Sequence, residues 1–429
     1  MIDIRRGLRI VIGTGAWTLR ICVGLLITAL VCSCAGIPVL KDETLTPVIR
    51  IPFIRVLLVE SPNEVSVDAD GSFAVECLDN GHQTVYFSRQ PVRVSMTGRN
   101  LRVVNDKGDL IQEGMNEVNL IPRGTDVRLR LDKNRYRGII KVLPYGRSVR
   151  LINVVYMEDY LRGVVPPEIG FKDDTPLEAI KTQAVAARTY AMGHLQQYGE
   201  EPFDMKSTVV DQVYEGFDAE TTLVNQAIDQ TVGRVVMFKD NFINAYYHST
   251  CGGMTDDIAE VWDKPAASYL VPVDDSAACS WSKYYNWQEQ FTEKQLRGRI
   301  EQYLSSDRGH DIRISPITDI KIVNRTPGGR VAKLMIRTES DTYHFYKDRI
   351  RWVIGRASSA DLILPSDLFD VDIKRDAEDK ITTVTINGHG YGHGVGLCQC
   401  GAIGRARNGW NFEQILKFYY TGVDIKKLY

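Results

Sequence analysis

The sequence lacks an excess of charge of either sign. Its 52 lysines and arginines nearly balance 54 aspartates and glutamates, so the net charge is −2 over 429 residues. A chain with this balance has no bulk attraction to nucleic acid or to anionic lipid. We therefore expect no nucleic-acid partner, and a polymeric partner would have to be recognised by specific side chains.

Common nucleotide-binding and zinc-binding motifs are also missing. No stretch matches G-x-x-x-x-G-K-[ST], and the segment GHGYGHGVG at 388–396 does not satisfy G-x-G-x-x-G in any register. These absences argue against dinucleotide or nucleoside triphosphate binding. The chain has no C-x-x-C pair and holds only eight cysteines and seven histidines.

Residues 1–36 have the order of an export signal. Arginines precede an apolar run from Ile21 to Val31, which ends in the small-residue cluster CSCAG. The run is shorter than the ~20 residues of a membrane-spanning helix, which favours a signal peptide. VCSC resembles a bacterial lipobox whose lipidated residue would be Cys34, and a plain cleaved signal or an uncleaved anchor are the alternatives. All three place the rest of the chain outside the cytoplasm, in the cell envelope.

The remaining sequence predicts an α+β fold. Between about 48 and 155, β-branched or alternating runs such as IRVLLVE and VRVSMTG are each followed by Gly, Asn or Asp. We therefore assign 37–144 to an N-terminal antiparallel β module and 145–429 to a mixed, β-rich domain whose few helices form a groove. The clearest helix begins at Leu177 and has a natural stop at Gly199.

One position on this helix has two interpretations. Arg188 falls on a narrow stripe that is otherwise mostly apolar and small. It could be buried against a structural carboxylate, because buried charges are normally paired. It could instead face a cleft.

The cysteines and histidines leave the question of a metal open. HSTCGG at 248–253 spaces His248 and Cys251 as H-x-x-C, and Cys279 is a further candidate ligand. A disulfide between Cys251 and Cys279, or between either and Cys398, is an alternative, and so are free buried thiols. We expect no cofactor to be required and keep a structural zinc ion as a possibility.

The glycine-rich segment at 388–402, GHGYGHGVGLCQCGA, has the composition of a ligand-approach surface. Its glycines let a ligand come close to the backbone, and Tyr391 offers a flat face that suits a sugar ring. His393 and Gln399 add hydrogen-bond donors and acceptors. A tight structural loop is the alternative interpretation.

Four blocks of the sequence, in order, resemble the stage II sporulation protein D / amidase enhancer family. They lie within about 145–429 and read VVPPEIG…PLEAIKTQAVAARTYA, DQVYEG, AYYHSTCGGMT…VW and GHGYGHGVGLCQCGA…ILKFYYTGVDI. The resemblance implies a lytic transglycosylase that cleaves peptidoglycan glycan strands and leaves 1,6-anhydro-N-acetylmuramic acid ends, in wall remodelling or sporulation. It implies Glu168 as the catalytic acid and base. It also implies these substrate-binding residues: Arg188, Tyr190, His248, Ser249, Tyr391, His393 and Gln399.

The sequence around Glu168 favours this role independently of the resemblance. Two prolines precede it and Gly170 follows it, so we expect the carboxylate on a rigid loop. Val164, Val165 and Ile169 predict apolar surroundings, which would raise the carboxyl pKa. One carboxylate is chemically sufficient, because the C6 hydroxyl of the same sugar acts as the nucleophile. An ordinary surface carboxylate is the alternative.

Two other functions are compatible with these residues. Family members are also described as enhancers of a wall amidase, so the chain could be a non-catalytic peptidoglycan-binding activator with an amidase as partner. A zinc hydrolase that uses His248 and cysteine ligands is the second alternative. Two substitutions depart from the family pattern, namely Cys400 where an aromatic residue is commoner and Ile169 where methionine is usual.

Overall fold

The computed structural model describes residues 51–170, 172–359 and 361–429. The predicted signal at 1–36 and the predicted lipidation site Cys34 lie outside the described residues. None of the described helices combines the length and the apolar character that crossing a bilayer requires.

Strands dominate the first part of the described chain. In chain order they are β1 Phe53–Glu60, β2 Glu64–Ala69, β3 Phe73–Asp79, β4 His82–Ser88, β5 Val92–Thr97, β6 Asn100–Asn105, β7 Leu110–Met115, β8 Glu117–Pro122, β9 Leu129–Leu131, β10 Asn134–Tyr136, β11 Ile139–Tyr145 and β12 Ser148–Tyr156. They form two sheets, with the orders β1-β12-β11-β8-β3-β4 and β10-β9-β2-β5-β6-β7. Alternate residues such as Val65 and Val67 of β2 and Val118 and Leu120 of β8 are buried in one shared core.

The next part of the chain is mainly helical and packs against this core. Its elements are α1 Met157–Ile169, α2 Leu177–Gly193, β13 Met205–Lys206, α3 Thr222–Gln230, β14 Arg234–Phe238, β15 Asn241–Phe242, β16 Tyr247–His248 and α4 Ile258–Val261. Val164 of α1 and Ile180 and Ala184 of α2 share the core of the two sheets. β13 adds a seventh strand beside β1.

The predicted boundary at 144/145 falls inside a hairpin. β11 and β12 pair antiparallel from Ile139 with Val154 to Tyr145 with Ser148. The described residues belong to one compact unit, and the strands that precede the boundary share a core with the helices that follow it. The β-rich region is therefore part of the same packed body as the helices.

Residues 286–389 build a smaller body with its own core. Its elements are β17 Asn286–Thr292, α5 Glu293–Arg308, β18 Ile317–Arg325, β19 Val331–Thr338, β20 Thr342–Tyr346, α6 Arg349–Ile354, β21 Phe369–Arg375 and β22 Ile381–His389. The strands form two three-stranded sheets, β17-β22-β21 and β18-β19-β20. A capping box between Thr292 and Gln295 begins α5, and Gly309 in the left-handed conformation ends it.

The last part of the chain returns to the helical region. It contains β23 Leu397–Cys398, α7 Gln399–Arg407, α8 Phe412–Tyr419 and β24 Asp424–Lys427. β23 pairs parallel with β16, placing Leu397 beside Tyr247 and Cys398 beside His248. This pairing joins the HST block to the glycine-rich segment. The predicted α+β class is confirmed.

Candidate active site

Glu168 lies in the last turn of α1, and the predicted loop position is wrong. α1 includes Pro166 and Pro167 and ends at Gly170, which has φ 60°. Each proline removes an N–H donor but keeps a φ close to the helical value. The carbonyl that Pro167 cannot reach, that of Gly163, accepts a hydrogen bond from the Glu215 N–H at 3.1 Å. A tertiary partner thus satisfies this carbonyl in a turn that stays helical.

Two donors hold the Glu168 carboxyl group. The Val213 N–H donates to Oε1 at 2.6 Å, and the Tyr247 hydroxyl lies close enough to lower the pKa of the carboxyl group as a hydrogen-bond donor. The Tyr247 oxygen accepts from Gln212 Nε2 at 3.0 Å, so its single proton is free to point at Glu168. Gln212 is itself fixed, because the Tyr160 hydroxyl donates to its Oε1 at 3.1 Å.

Burial makes the Glu168 carboxyl an unusually weak acid. Desolvation raises its pKa from 4.5 to about 7, against the lowering effect of the hydrogen bonds from Val213 and Tyr247. The apolar residues predicted around Glu168 do not form the walls of the cavity. Val164 and Val165 point into the core, and Ile169 packs against Ala179 and Ile403, so none of the three lines the cavity around the carboxyl group. Aromatic side chains line much of the cavity instead.

A groove of about 610 Å³ surrounds Glu168. A volume of this size is typical of a ligand site. Six of the seven predicted substrate-binding residues line the groove together with Glu168: Tyr190, His248, Ser249, Tyr391, His393 and Gln399. The fold therefore brings together around one groove six residues from blocks that are far apart in the chain.

Arg188 is the exception, and its predicted cleft position is wrong. The side chain is fully buried and forms a two-bond ion pair with Glu158, with nitrogen–oxygen distances of 2.6 and 2.9 Å. Its third nitrogen donates to the Arg234 carbonyl at 3.1 Å. Glu158 also accepts from the Gly233 N–H and the Tyr429 hydroxyl. The other interpretation, a buried charge paired with a structural carboxylate, is confirmed.

Two of the three histidines that line the groove, His248 and His393, are held in the neutral form. The His393 Nε2–H donates to the Tyr247 carbonyl at 3.0 Å, and Nδ1 accepts from the Val395 N–H at 3.0 Å. Burial lowers the pKa of His393 to about 4. Burial also holds the pKa of His248 well below its usual value, and its Nδ1–H donates to the Val395 carbonyl at 3.2 Å. His248 Nε2 has no hydrogen-bond partner in the described part of the chain.

Ring stacking sets the positions of the groove aromatics. Tyr190 stacks on His194 with ring centroids 3.9 Å apart, and Tyr391 lies 4.4 Å from Tyr284. Trp262 lies 4.7 Å from His393. Such walls provide flat apolar faces beside polar edges, which suits a carbohydrate.

Sequence reasoning missed three residues that shape the site. They are Tyr247 and Gln212, which hold the carboxyl group, and Trp262, which extends the wall. All three stand in the quoted blocks DQVYEG and AYYHSTCGGMT…VW. Their roles depend on the fold, because only the fold shows which side chains of those blocks point towards Glu168.

Three cysteines and one aspartate meet at a single point beside the groove. The ligand atoms of Cys251, Asp275, Cys279 and Cys398 all lie within 4.8 Å of one another, and all four residues are buried. The Cys251 and Cys279 sulfurs are 3.4 Å apart and are free thiols. Of the predicted ligand set, Cys251 and Cys279 lie in this cluster together with Asp275 and Cys398, and His248 lies outside it.

This cluster fits a tetrahedral zinc site. Zinc bound to thiolates at about 2.3 Å places neighbouring sulfurs slightly under 4 Å apart. Asp275 has a prepared outer contact, because its Oδ1 accepts from the Tyr419 hydroxyl at 2.6 Å and from Arg405 at 3.1 Å. Such contacts orient a ligating carboxylate and leave its Oδ2 for the metal.

Comparison with known proteins shows which family the chain belongs to. Residues 145–238 match the family described as stage II sporulation protein, and residues 279–396 match a domain of unknown function, DUF8618. The chain is 30% identical over 336 residues to an uncharacterised protein of Brachyspira hyodysenteriae, covering 77% of this chain and 83% of that protein. It belongs to the stage II sporulation protein D / amidase enhancer family.

Two Bacillus subtilis relatives carry descriptive names. The stage II sporulation protein D is 27% identical over 310 residues, covering 67% of this chain and 79% of that protein. The amidase enhancer is 28% identical over 364 residues, covering 76% of this chain and 49% of that protein. The chain thus spans about half the length of the amidase enhancer.

Proposed function

We propose that this protein is a peptidoglycan lytic transglycosylase and that Glu168 is its single catalytic acid and base. Membership of the family supports a cell-wall-related role. One observation carries the finer proposal: a desolvated carboxyl group with its pKa raised to about 7 lies in an aromatic-walled groove. A carboxyl group with this pKa can donate and accept a proton near neutral pH.

In the first step, protonated Glu168 donates its proton to the glycosidic oxygen on C1 of N-acetylmuramic acid. The C1–O bond breaks, and positive charge develops on the sugar ring. The new carboxylate keeps its hydrogen bonds from the Val213 N–H and the Tyr247 hydroxyl, which stabilise its charge.

In the second step, the carboxylate takes the proton of the C6 hydroxyl of the same sugar, and O6 bonds to C1. The product carries a 1,6-anhydro ring, no water is consumed, and Glu168 is protonated again. The nucleophile is part of the substrate, so its effective concentration is high and no second carboxylate is needed.

Hydrolysis assisted by a second carboxylate has weaker support. Asp211 also lines the groove, but its oxygens already accept hydrogen bonds from the Tyr198 hydroxyl, the Lys206 N–H and Gln197 Nε2. A carboxylate engaged in this way is poorly placed to activate water.

Mass spectrometry of purified glycan strands tests the reaction. Wild type is expected to release fragments with anhydro ends, and Glu168→Gln, which keeps the shape but cannot donate the proton, is expected to release none. Fragments heavier by one water would show hydrolysis instead, and equal activity of the two proteins would remove Glu168 from the mechanism.

A second candidate function is activation of a cell-wall amidase. It is favoured by the similarity to the amidase enhancer. In that case the groove would bind glycan strands without cutting them, and Glu168→Gln would still stimulate a wall amidase. For either function the protein would act outside the cytoplasm, tethered through a lipid on Cys34 or through an N-terminal anchor.

The cysteine cluster would hold a structural zinc ion through Cys251, Cys279, Cys398 and Asp275. All four residues are buried, which suits a closed structural site better than a catalytic one with an open position. A bound zinc ion would cross-link the HSTCGG segment, the segment that holds Asp275 and Cys279, and the glycine-rich segment. The zinc hydrolase alternative is weakened, because His248 lies outside the cluster.

A further inference from the structure

A second cavity, of about 520 Å³, lies beside the groove. Trp262 lines both cavities, so one ring forms part of the wall of each. Two further aromatic residues line the second cavity, and both are unusually exposed: Trp352 at 55% and Tyr346 at 50%. No site residue considered so far belongs to this cavity apart from Trp262.

The wall of this cavity is held firmly. Lys347, between β20 and α6, donates from Nζ to the Ala259 carbonyl at 2.9 Å and to the Trp262 carbonyl at 3.1 Å. The Asp348 N–H donates to the Val261 carbonyl at 3.2 Å. These bonds tie the segment that carries Tyr346 and Trp352 to the end of α4, which carries Trp262. The aromatic residues are therefore presented by a fixed frame.

The chemistry of the cavity matches a polar ligand with flat apolar faces. Large aromatic rings that are exposed and grouped on a surface often mark a binding site. The charges around them balance, with Asp263 and Asp348 against Lys347 and Arg349. Lys347 is paired with Asp263 at 2.9 Å. Exposed Arg349, in contrast, has no ion-pair partner among the residues described, so its guanidinium is available for a carboxylate.

We propose that this cavity is a distal subsite for the glycan strand that occupies the groove. The inference rests on the proposed function. Sugar rings several positions away from the cleaved bond would stack on Tyr346 and Trp352, and Arg349 would meet the lactyl carboxylate of an N-acetylmuramic acid residue. All three residues lie within 279–396, the range that matches the domain of unknown function. This domain would therefore contribute affinity for long glycan strands.

Binding in a Glu168→Gln background tests the subsite, because no strand is cut during the measurement. The probes are a tetrasaccharide and a dodecasaccharide of peptide-free glycan, each titrated by calorimetry. Trp352→Ala and Tyr346→Ala are expected to lower the dodecasaccharide-to-tetrasaccharide affinity ratio about five- to ten-fold each. Phe87→Ala, which removes a ring 63% exposed on β4, is the matched control and is expected to leave this ratio unchanged.

Arg349→Gln separates the carboxylate contact from stacking. It is expected to weaken the dodecasaccharide of peptide-free glycan about three-fold or more, and to leave a chitin oligosaccharide of equal length unaffected, because chitin has no lactyl group. Unchanged ratios in both aromatic variants, with the parent binding normally, would overturn the subsite alone. A parent protein that binds neither length would overturn the groove assignment, and the subsite with it.

Discussion

The side chain of Gln399 donates from Nε2 to the backbone carbonyl of Glu168 at 2.7 Å. The bond joins the first residue of α7 to the last turn of α1, across 231 positions of the chain. Gln399 also contacts Gln183 of α2 at 3.3 Å. The glycine-rich segment therefore contributes more than one wall of the groove, because it also anchors the backbone that carries the acid.

Gln399→Ala should lower kcat on the order of ten-fold or more, because a small displacement of a catalytic group is expensive in rate. It should also lower the free energy of unfolding by about 1 kcal/mol through the lost bonds. Glycan cleavage and urea unfolding measure the two effects. The alkaline limb of the pH profile should stay in place, since the carboxyl group keeps its own partners. Gln290→Ala, on the exposed face of β17, is the control, and an equal loss in both variants would contradict the anchoring role.

The free energy of unfolding should depend on pH through Glu168. The carboxyl pKa rises from 4.5 to about 7 on folding. The folded state is therefore more stable with Glu168 protonated than with Glu168 ionised. This stability is fully present below about pH 4.5 and is lost as the pH rises through 7. At pH 8, Glu168→Gln should be more stable than wild type by on the order of 1–3 kcal/mol, with little difference at pH 4. Urea unfolding of both proteins at pH 4 and pH 8 measures this difference in the free energy of unfolding. A difference that is the same at the two pH values would refute the raised pKa.

The rate of glycan cleavage should fall as the pH rises above about 7, because the proton that Glu168 donates is lost. Tyr247→Phe removes a hydrogen bond that stabilises the carboxylate. The pKa should therefore rise, and the alkaline limb should move to higher pH while kcat drops. Tyr246→Phe is the control, because the Tyr246 hydroxyl accepts a hydrogen bond from Lys264. The alkaline limb of this variant's pH profile should not move. If Tyr247→Phe leaves the alkaline limb of the pH profile in place, Tyr247 does not influence the pKa of Glu168.

The sequence predicted local features well where local physics decides them. Asn411 caps α8 through a capping box with Gln414, a role that suits an asparagine before an apolar stripe. The strand-rich region before residue 156 also follows its predicted pattern of β-branched and alternating runs. The six groove residues came from recognised blocks, since a family pattern already contains the outcome of folding.

The features that the sequence did not predict depend on contacts between residues far apart in the chain. α2 ends at Gly193 rather than Gly199, because the Asp204 carboxylate accepts from the Gln196 N–H and diverts the chain from the helix. Glu168 stays helical because a distant N–H satisfies the Gly163 carbonyl. Asp275 joins the cysteines only once residues far apart in the chain are brought together. None of these partners can be read from spacing along the chain.

The cysteine cluster should bind about one zinc ion per chain, measured by elemental analysis of protein purified without added metal. Cys279→Ser and Asp275→Asn should each reduce the zinc content and the free energy of unfolding. Cys77→Ala, a buried cysteine in β3, should retain the metal. A metal-free protein in which thiol counting after denaturation finds three thiols rather than the five of residues 51–429 would indicate a disulfide instead.

Arg188 should matter for stability rather than for substrate affinity. Arg188→Met leaves the Glu158 carboxylate buried without its cation and should cost about 3–5 kcal/mol of unfolding free energy. Glu158→Gln combined with Arg188→Met removes both charges and should recover much of that loss, because no unpaired charge remains buried. The KM for glycan strands should be unchanged in the double variant, as the guanidinium lies outside the groove. A raised KM with unaltered stability in Arg188→Met would return this residue to the substrate-binding set, and the ion pair with Glu158 would then have to open when a strand binds.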